Sequence, residues 1–303
     1  MIKKLDDIFS QLRGSDKVIL SVASAHDREV LLAIKGACKK DIISPILIGK
    51  EKIIRDISRK IEFNLDGIEI INKETMQECS QCAVKLVSSK KADFVMKGLL
   101  DTSIILKSVL NKDWGLRTDR LLSHVMIYEI PKYHKLLVST DGGMNISPNY
   151  EQKVKILKNA IEATKPLGLQ KIKVACLAAK EKVNPKMIAT VDAKALEDAC
   201  KDGEFGDDII VEGPLAFDLA ISKEAARKKG FESKVAGDAD IILVPTIEVG
   251  NGIGKALTYF AGSKSAGIIM GAKVPIVLVS RADNYESKLY SIAYGALIAK
   301  YNK

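Results

Sequence analysis

Aromatic residues make up only 5% of this 303-residue chain, with a single tryptophan, and no basic–aromatic interleaving occurs. That weighs against a nucleic-acid surface, which needs clustered cations and stacking rings. The three histidines, His26, His124 and His134, stand in unrelated contexts, so no Ser-His-Asp arrangement is evident. His26 sits at a strand end before a helix, where it can face a ligand; His124 and His134 read as packing or surface residues. The five cysteines are odd in number and irregularly spaced, unlike a disulfide framework. Cys79-Ser-Gln-Cys82 lies within a helical pattern from Glu74 to Ser88. It lacks a second Cys or His pair at zinc-finger spacing, which disfavours a metal or redox role. No apolar run approaches the roughly 18 residues of a membrane span, since Lys273 interrupts GIIMGAKVPIVLVS and Asp218 interrupts PLAFDLAI. The opening MIKKLDDIFSQLRGSD has acids where a signal peptide needs an apolar segment. The expectation is a cytoplasmic protein with no membrane partner.

What is present is apolar and basic. Hydrophobic residues reach 47%, and the length exceeds what one core usually serves, so two lobes are expected. The formal net charge is +9 with pI near 9.1, which calls for anionic partners. Lysines are scattered from end to end, favouring a phosphate-bearing metabolite over nucleic acid.

Short β-rich runs alternate with longer amphipathic ones throughout, the pattern of βα units and a parallel sheet covered on both faces. The spacing predicts strands at Lys17 to Ala23, Ile43 to Ile48, Ile68 to Ile71, Phe94 to Met96, His124 to Ile130, Lys135 to Ser139, Lys173 to Leu177, Ile241 to Val244 and Ile276 to Val279. Asp27 is placed to cap a helix from Arg28 to Lys39, and Ser147-Pro148 with Glu151 reads as another helix start. EIPKYHKLLVST reads as a hairpin and marks the crossing into a second lobe. The closing helix, with Leu289, Ile292, Ala293, Ala296 and Leu297, needs a core and returns the chain to the first lobe. The lobes are drawn as 1–128 with 276–303, and 129–275, with the active-site cleft between them.

Ligands of parallel α/β sheets bind beyond the carboxyl ends of strands. Five stretches qualify. Lys97-Gly98 ends a strand before a helix carrying Lys107; glycine permits close backbone approach and lysine is a flexible point charge for phosphate. DGGMNISP, Asp141 to Pro148, is a tight turn or a loop with exposed amides, the turn being favoured. In VEGPLAFDLA, Glu212 and Asp218 lie among apolar residues and should be hydrogen-bonded or face a cleft. VPTIEVGNGIGKAL offers three glycines, Asn251 and Lys255 before a helix, an anion cradle that matches neither the Walker nor the dinucleotide fingerprint. Finally, in VLVSRADNYESKLYSIA a strand runs directly into Ser280-Arg281, with Asp283 and Glu286 behind. Arginine there can hold phosphate bidentately or stabilise an oxyanion, and an acid in the next helix can act as base.

Taken in order, SVASAHDREVLLAI, MKGLLDTSIILKSVLN, DGGMNISPNYEQKVKILKNAIEATKPLG, VEGPLAFDLAIS and the long block from AGDADIILVPTIEVGNGIGKAL to VLVSRADNYESKLYSIA resemble the phosphate acetyltransferase and phosphate butyryltransferase family, the butyryltransferases most. The resemblance covers nearly the whole chain. It implies a two-lobed α/β/α fold of the isocitrate/isopropylmalate dehydrogenase type. It also implies reversible transfer of an acyl group between acyl-CoA and inorganic phosphate, giving acyl phosphate and free coenzyme A. No metal or nicotinamide is implied; coenzyme A is substrate or product, not cofactor. A homo-oligomer, dimer or higher, is implied as well, and the small-residue run AGSKSAGIIMGA fits either such an interface or a tightly packed internal helix.

The family's catalytic Ser-Arg pair carries over to Ser280 and Arg281. Its proposed base, an aspartate in the following helix, matches Ser287, with Glu286 beside it and Asp283 a turn earlier, so the base stays open among these. An arginine of the acetyltransferases is Lys107 here, the Pro-Asp-Ile-Glu block reads Pro245-Thr246-Ile247-Glu248, and Asn251 is followed by Gly252-Ile253-Gly254. Lys97, Gly98, Lys107, Asn251, Gly252, Lys255 and Asp283 are the expected substrate-binding set. Two other classes remain to be weighed. An NAD(P) dehydrogenase of the related fold needs an aspartate cluster for a metal, which is not grouped convincingly here. A basic nucleic-acid-binding or CoA-sensing protein leaves Ser280-Arg281 unexplained.

Overall fold

The computed structural model describes residues 1–14, 16–280 and 283–303. It divides the chain into two compact units, one of residues 5–120 and 266–303, the other of residues 1–4 and 121–265.

The chain enters the first unit through α1 (Leu5–Leu12) and then alternates: β1 (Val18–Ala23), α2 (Arg28–Lys39), β2 (Ile43–Gly49), α3 (Glu51–Lys60), β3 (Glu69–Asn72), α4 (Met76–Ser88), β4 (Phe94–Lys97) and α5 (Thr102–Val109). The second unit holds the hairpin β5 (Ser123–Glu129) and β6 (Leu137–Thr140), then α6 (Tyr150–Thr164), β7 (Ile172–Leu177), α7 (Ile188–Lys201), β8 (Ile209–Leu215), α8 (Phe217–Ile221), α9 (Lys223–Lys228), β9 (Ile241–Leu243) and α10 (Ile247–Tyr259). From β10 (Lys264–Met270) the chain returns to the first unit through β11 (Ile276–Val277) and α11 (Tyr285–Tyr301).

In the first unit the strand order is β3-β2-β1-β4-β11-β10, with all neighbours parallel except β10 and β11. Strands β1 and β4 are almost wholly buried, as expected for apolar β-branched runs covered on both faces. Asp27 caps α2 by accepting from the Val30 amide at 2.9 Å, as its position before the helix predicts. Helix α11 is buried from Lys288 to Ala299, a stretch that is apolar except for Lys288, Ser291 and the tyrosine hydroxyls. Its Tyr290 stacks on Phe9 at 5.5 Å and donates to Asp6 Oδ1 at 2.9 Å. Among the described residues no helix is long and apolar enough to cross a membrane.

The second unit orders its strands β5-β6-β9-β7-β8, with β5 antiparallel to β6 and the rest parallel. Its core joins Leu137, Leu177, Leu215, Leu219, Val235 and Ile242. At the amino end of its parallel strands Asp238 accepts from Lys173 at 2.5 Å, from His134 at 2.7 Å and from Lys135 at 3.1 Å. Partial burial pushes this carboxyl up, but those bonds outweigh it and hold it well below the usual carboxylate range. A depressed folded-state value contributes stability that is present above the unfolded value, about 3.9, and is lost as pH falls through the folded one. The melting temperature should therefore fall on acidification below about pH 4 more steeply in the wild type than in Asp238→Asn. Parallel curves would remove Asp238 from the acid response.

Three local expectations need correction. The small-residue run AGSKSAGIIMGA is mostly strand β10, not an internal helix. Strand β8 was not drawn from the sequence, because Gly213-Pro214 breaks its pattern; as the last strand of its sheet it tolerates a proline that a central strand would not. Helix α6 starts at Tyr150, two residues after Pro148, because Asn149 and Gln152 close a reciprocal capping box at 2.9 and 3.0 Å.

Candidate active site

In the first unit β4 lies between β1 and β11, with Lys97 level with Ala23 and Met96 level with Val277. Their carboxyl ends therefore release three loops side by side: Ser24 to Asp27, Lys97 to Asp101, and the stretch that includes Ser280 and Asp283. This brings Lys97, Gly98, Ser280 and Asp283 to one edge, where the first turn of α11 adds Glu286 and Ser287. Arg281 lies outside the described residues.

The Lys97 loop is held to β1 by two backbone bonds. The Gly98 amide donates to Ala23 O and the Leu99 amide to Ser24 O, each at 2.8 Å. A Cβ on Gly98 would stand 2.3 Å from the Ser24 oxygen and 2.6 Å from that of Ala23, so it is the neighbouring strand that requires glycine here. Lys97 is 5% exposed, and its ammonium donates to the Leu100 carbonyl at 3.1 Å. This lysine is thus a buried organiser of its own loop rather than a swinging charge. Lys107 is exposed in the last turn of α5. His26 is half-buried beside Lys50, whose amide reaches its Nδ1 at 3.4 Å; burial first and Lys50 second push its pKa down.

Ser280 is exposed, and its amide donates to Asp283 Oδ2 at 2.9 Å. The Asp283 amide returns a bond to Ser280 O at 3.2 Å. The carboxylate expected to meet substrate is thus engaged with Ser280. Asn284 caps α11 by accepting from the Ser287 amide at 2.9 Å, and Glu286 stands half-buried in that helix's first turn. A partner missed by the sequence reading is Lys288, buried beneath these residues. Its signal was a lysine directly before the apolar stretch that opens at Leu289.

Asn251, Gly252 and Lys255 belong to the second unit. They do not precede a helix: α10 already begins at Ile247, so all three are exposed positions along it, and the cradle of loop amides is not formed there. Glycines cost a helix about 1 kcal/mol each, and close packing explains Gly250. A Cβ on it would fall 2.6 Å from the Gly142 Cα, so the helix and the loop after β6 touch backbone to backbone.

That loop is folded by Asp141, which is 2% exposed. Its carboxylate accepts from the amides of Gly143 and Met144 at 2.9 Å and of Asn145 at 3.3 Å, and from Asn145 Nδ2 at 2.6 Å. The paired glycines therefore belong to a closed turn in which the amides of residues 143–145 turn toward the Asp141 carboxylate. Asp141→Ala strands several part-buried donors, and at about 1–3 kcal/mol for each group left unsatisfied it should lower the unfolding free energy by about 2 kcal/mol in urea titration. A smaller loss would mean that water replaces the carboxylate. Of the other two acids singled out, Glu212 accepts from Ser233 Oγ and from the Lys234 amide at 2.9 Å. Asp218 is exposed and pairs with Lys229 at 3.0 Å, which holds its pKa down. Burial raises the thiols of Cys79 and Cys82 on α4, and no group of three or more His, Cys, Asp and Glu able to hold a metal occurs among the described residues.

Comparison with known proteins agrees with this architecture. The phosphate acetyl/butaryl transferase family model matches residues 4–85 and 72–296. A phosphate butyryltransferase of Clostridium acetobutylicum is 42% identical over 299 residues, 99% of each chain. A phosphate acetyltransferase of Thermotoga maritima is 40% identical over 295 residues, covering 97% of this chain and 99% of the relative. Among solved structures, a branched-chain phosphotransacylase from Enterococcus faecalis superposes with a TM-score of 0.82 at 34% identity, covering 93% of this chain and 99% of the other. With matches that run the length of the sequence and a solved relative of the same fold, this chain belongs to the phosphate acetyl/butaryl transferase family of acyltransferases.

Proposed function

We propose that this chain transfers an acyl group reversibly between coenzyme A and inorganic phosphate, with butyryl the favoured group and Ser280 and Arg281 at the centre of the chemistry. The observation that carries the reading is the convergence of the Ser280 and Lys97-Gly98 loops on neighbouring parallel strands, the edge at which α/β sheets bind anions. A thiol of pKa about 8.5 is only a few per cent thiolate at pH 7. In the direction of acyl-CoA synthesis a base therefore takes the coenzyme A proton, sulfur attacks the acyl phosphate carbonyl, and the carbonyl–oxygen bond to phosphate breaks. Arg281 holds the departing phosphate or the tetrahedral oxyanion, and Ser280 donates a hydrogen bond. The base is an acid of this segment, Glu286 or Asp283, since Ser287, at the position that matches the family's aspartate, carries no basic group. Lys107 and the α10 residues Asn251, Gly252 and Lys255 contribute positive charge and surface for the substrates. The enzyme works in the cytoplasm as a homo-oligomer and takes its coenzyme A only as a reactant.

Chain length rests on the names of relatives. Proteins at 42% and 41% identity are phosphate butyryltransferases, while one at 40% is a phosphate acetyltransferase. The acetyl group is therefore the second reading, since one methylene shifts pocket affinity by only about 1–3 kcal/mol. Thiol release from acetyl-, propionyl-, butyryl- and isobutyryl-CoA in EDTA tests this. Phosphate-dependent release that peaks at four carbons supports the butyryl assignment. A peak at acetyl moves the chain to the sister activity, and NAD reduction in place of release would favour a dehydrogenase.

A further inference from the structure

Lys288 sits where physical chemistry gives lysine little reason to be. It is the fourth residue of α11, close to the positive end of the helix dipole, and only 4% exposed. A buried amine needs hydrogen-bond acceptors in place of the water it has lost. Those acceptors are backbone: Nζ donates to the carbonyl oxygen of Ser280 at 3.4 Å and to that of Asp283. Ser280 and Asp283 are in turn bonded to each other twice, amide to carboxylate at 2.9 Å and amide to carbonyl at 3.2 Å. One buried cation thus ties both residues to the body of the most deeply packed helix of the unit. Because the ammonium is interior, the two carbonyls it holds are turned inward, and their negative ends are kept away from an anion arriving at the Ser280 side.

We propose that Lys288 is a positioning residue for acyl transfer, fixing the backbone of Ser280 and Asp283 so that the serine hydroxyl is presented in one place. The proposal rests on the assignment of Ser280 to the reaction. It separates two roles: Lys288 touches no reactant, and its loss loosens the residues that do.

The test pairs kinetics with amide exchange on the full-length protein. Lys288→Met is expected to lower kcat by about tenfold or more, because small misplacements of reacting groups are costly, while KM for butyryl-CoA stays within roughly threefold. Lys288→Arg, which keeps the charge and two donors, should recover most of the rate. Hydrogen–deuterium exchange should speed up in a peptide spanning residues 278–286 and not elsewhere. Unchanged kcat and unchanged exchange in a folded Lys288→Met would overturn the proposal, as would faster exchange over the whole protein. Should Lys288→Met fail to fold, Lys288→Gln carries the same comparison. Wild-type protein that releases no coenzyme A would defeat the acyl-transfer reading alone, and the exchange arm would still decide whether Lys288 holds Ser280 and Asp283.

Discussion

Arg281→Ala is expected to lower the turnover number with butyryl-CoA and phosphate by about a hundredfold or more, corresponding to about 3 kcal/mol of lost transition-state stabilisation. The guanidinium presents a planar fork of donors that matches phosphate oxygens two at a time, and no other side chain reproduces it. Arg281→Lys keeps the charge without the fork and should recover only part of the loss. Steady-state rates measured beside melting curves separate this from misfolding, because the melting temperature should not move. An Arg281→Ala enzyme with wild-type turnover would take the arginine out of the mechanism and leave Ser280 as the sole member of the pair with a role.

A second large effect is expected from Gly98→Ala. The added methyl would meet the Ser24 oxygen at 2.3 Å, the Ala23 oxygen at 2.6 Å and the Ser24 carbonyl carbon at 2.9 Å, all of them backbone atoms that cannot rotate aside. Relief requires β4 and the end of β1 to part, breaking the 2.8 Å bonds of Gly98 and Leu99. Overpacking of this kind costs about 1–3 kcal/mol, a large share of the roughly 5–15 kcal/mol that holds a folded domain. The same shift displaces the loop beside Ser280, so activity should fall along with stability. Urea denaturation and kcat measured on one preparation test both. A variant with wild-type stability would show that the loop can be rebuilt around a side chain.

Much of the fold was legible because its signals are local. Asp27 before Arg28 announced a helix start, and the β-branched run from Lys17 to Ala23 announced a buried strand; both appear within a residue of expectation. The failures arose where tertiary contact overrides local preference. Glycines made the stretch around Asn251 read as a loop, yet they let α10 pack backbone to backbone on Gly142, a contact 108 positions away from Gly250 that no local pattern reveals. The proline of β8 hid a strand that survives because it ends its sheet.

The candidate site divided in the same way. Ser280 and Lys97 could be nominated from their places after strands, and the parallel pairing of β4 with β1 and β11 brings their loops to one edge. What each side chain is attached to was not legible. Lys97 looked like a mobile charge and is buried on loop carbonyls; Asp283 looked like a substrate ligand and accepts from Ser280; Lys288 was not singled out and is buried in the helix that was expected to need a core.

The central claim is that phosphate itself accepts the acyl group. Phosphorus NMR of the purified protein with butyryl-CoA and inorganic phosphate in EDTA tests it directly. The account predicts a new acyl phosphate resonance that grows in step with free thiol and is about a hundredfold slower to appear with Arg281→Ala. Thiol release without that resonance would mean that water is the acceptor, and the chain would then be a thioesterase on a phosphate acyltransferase fold.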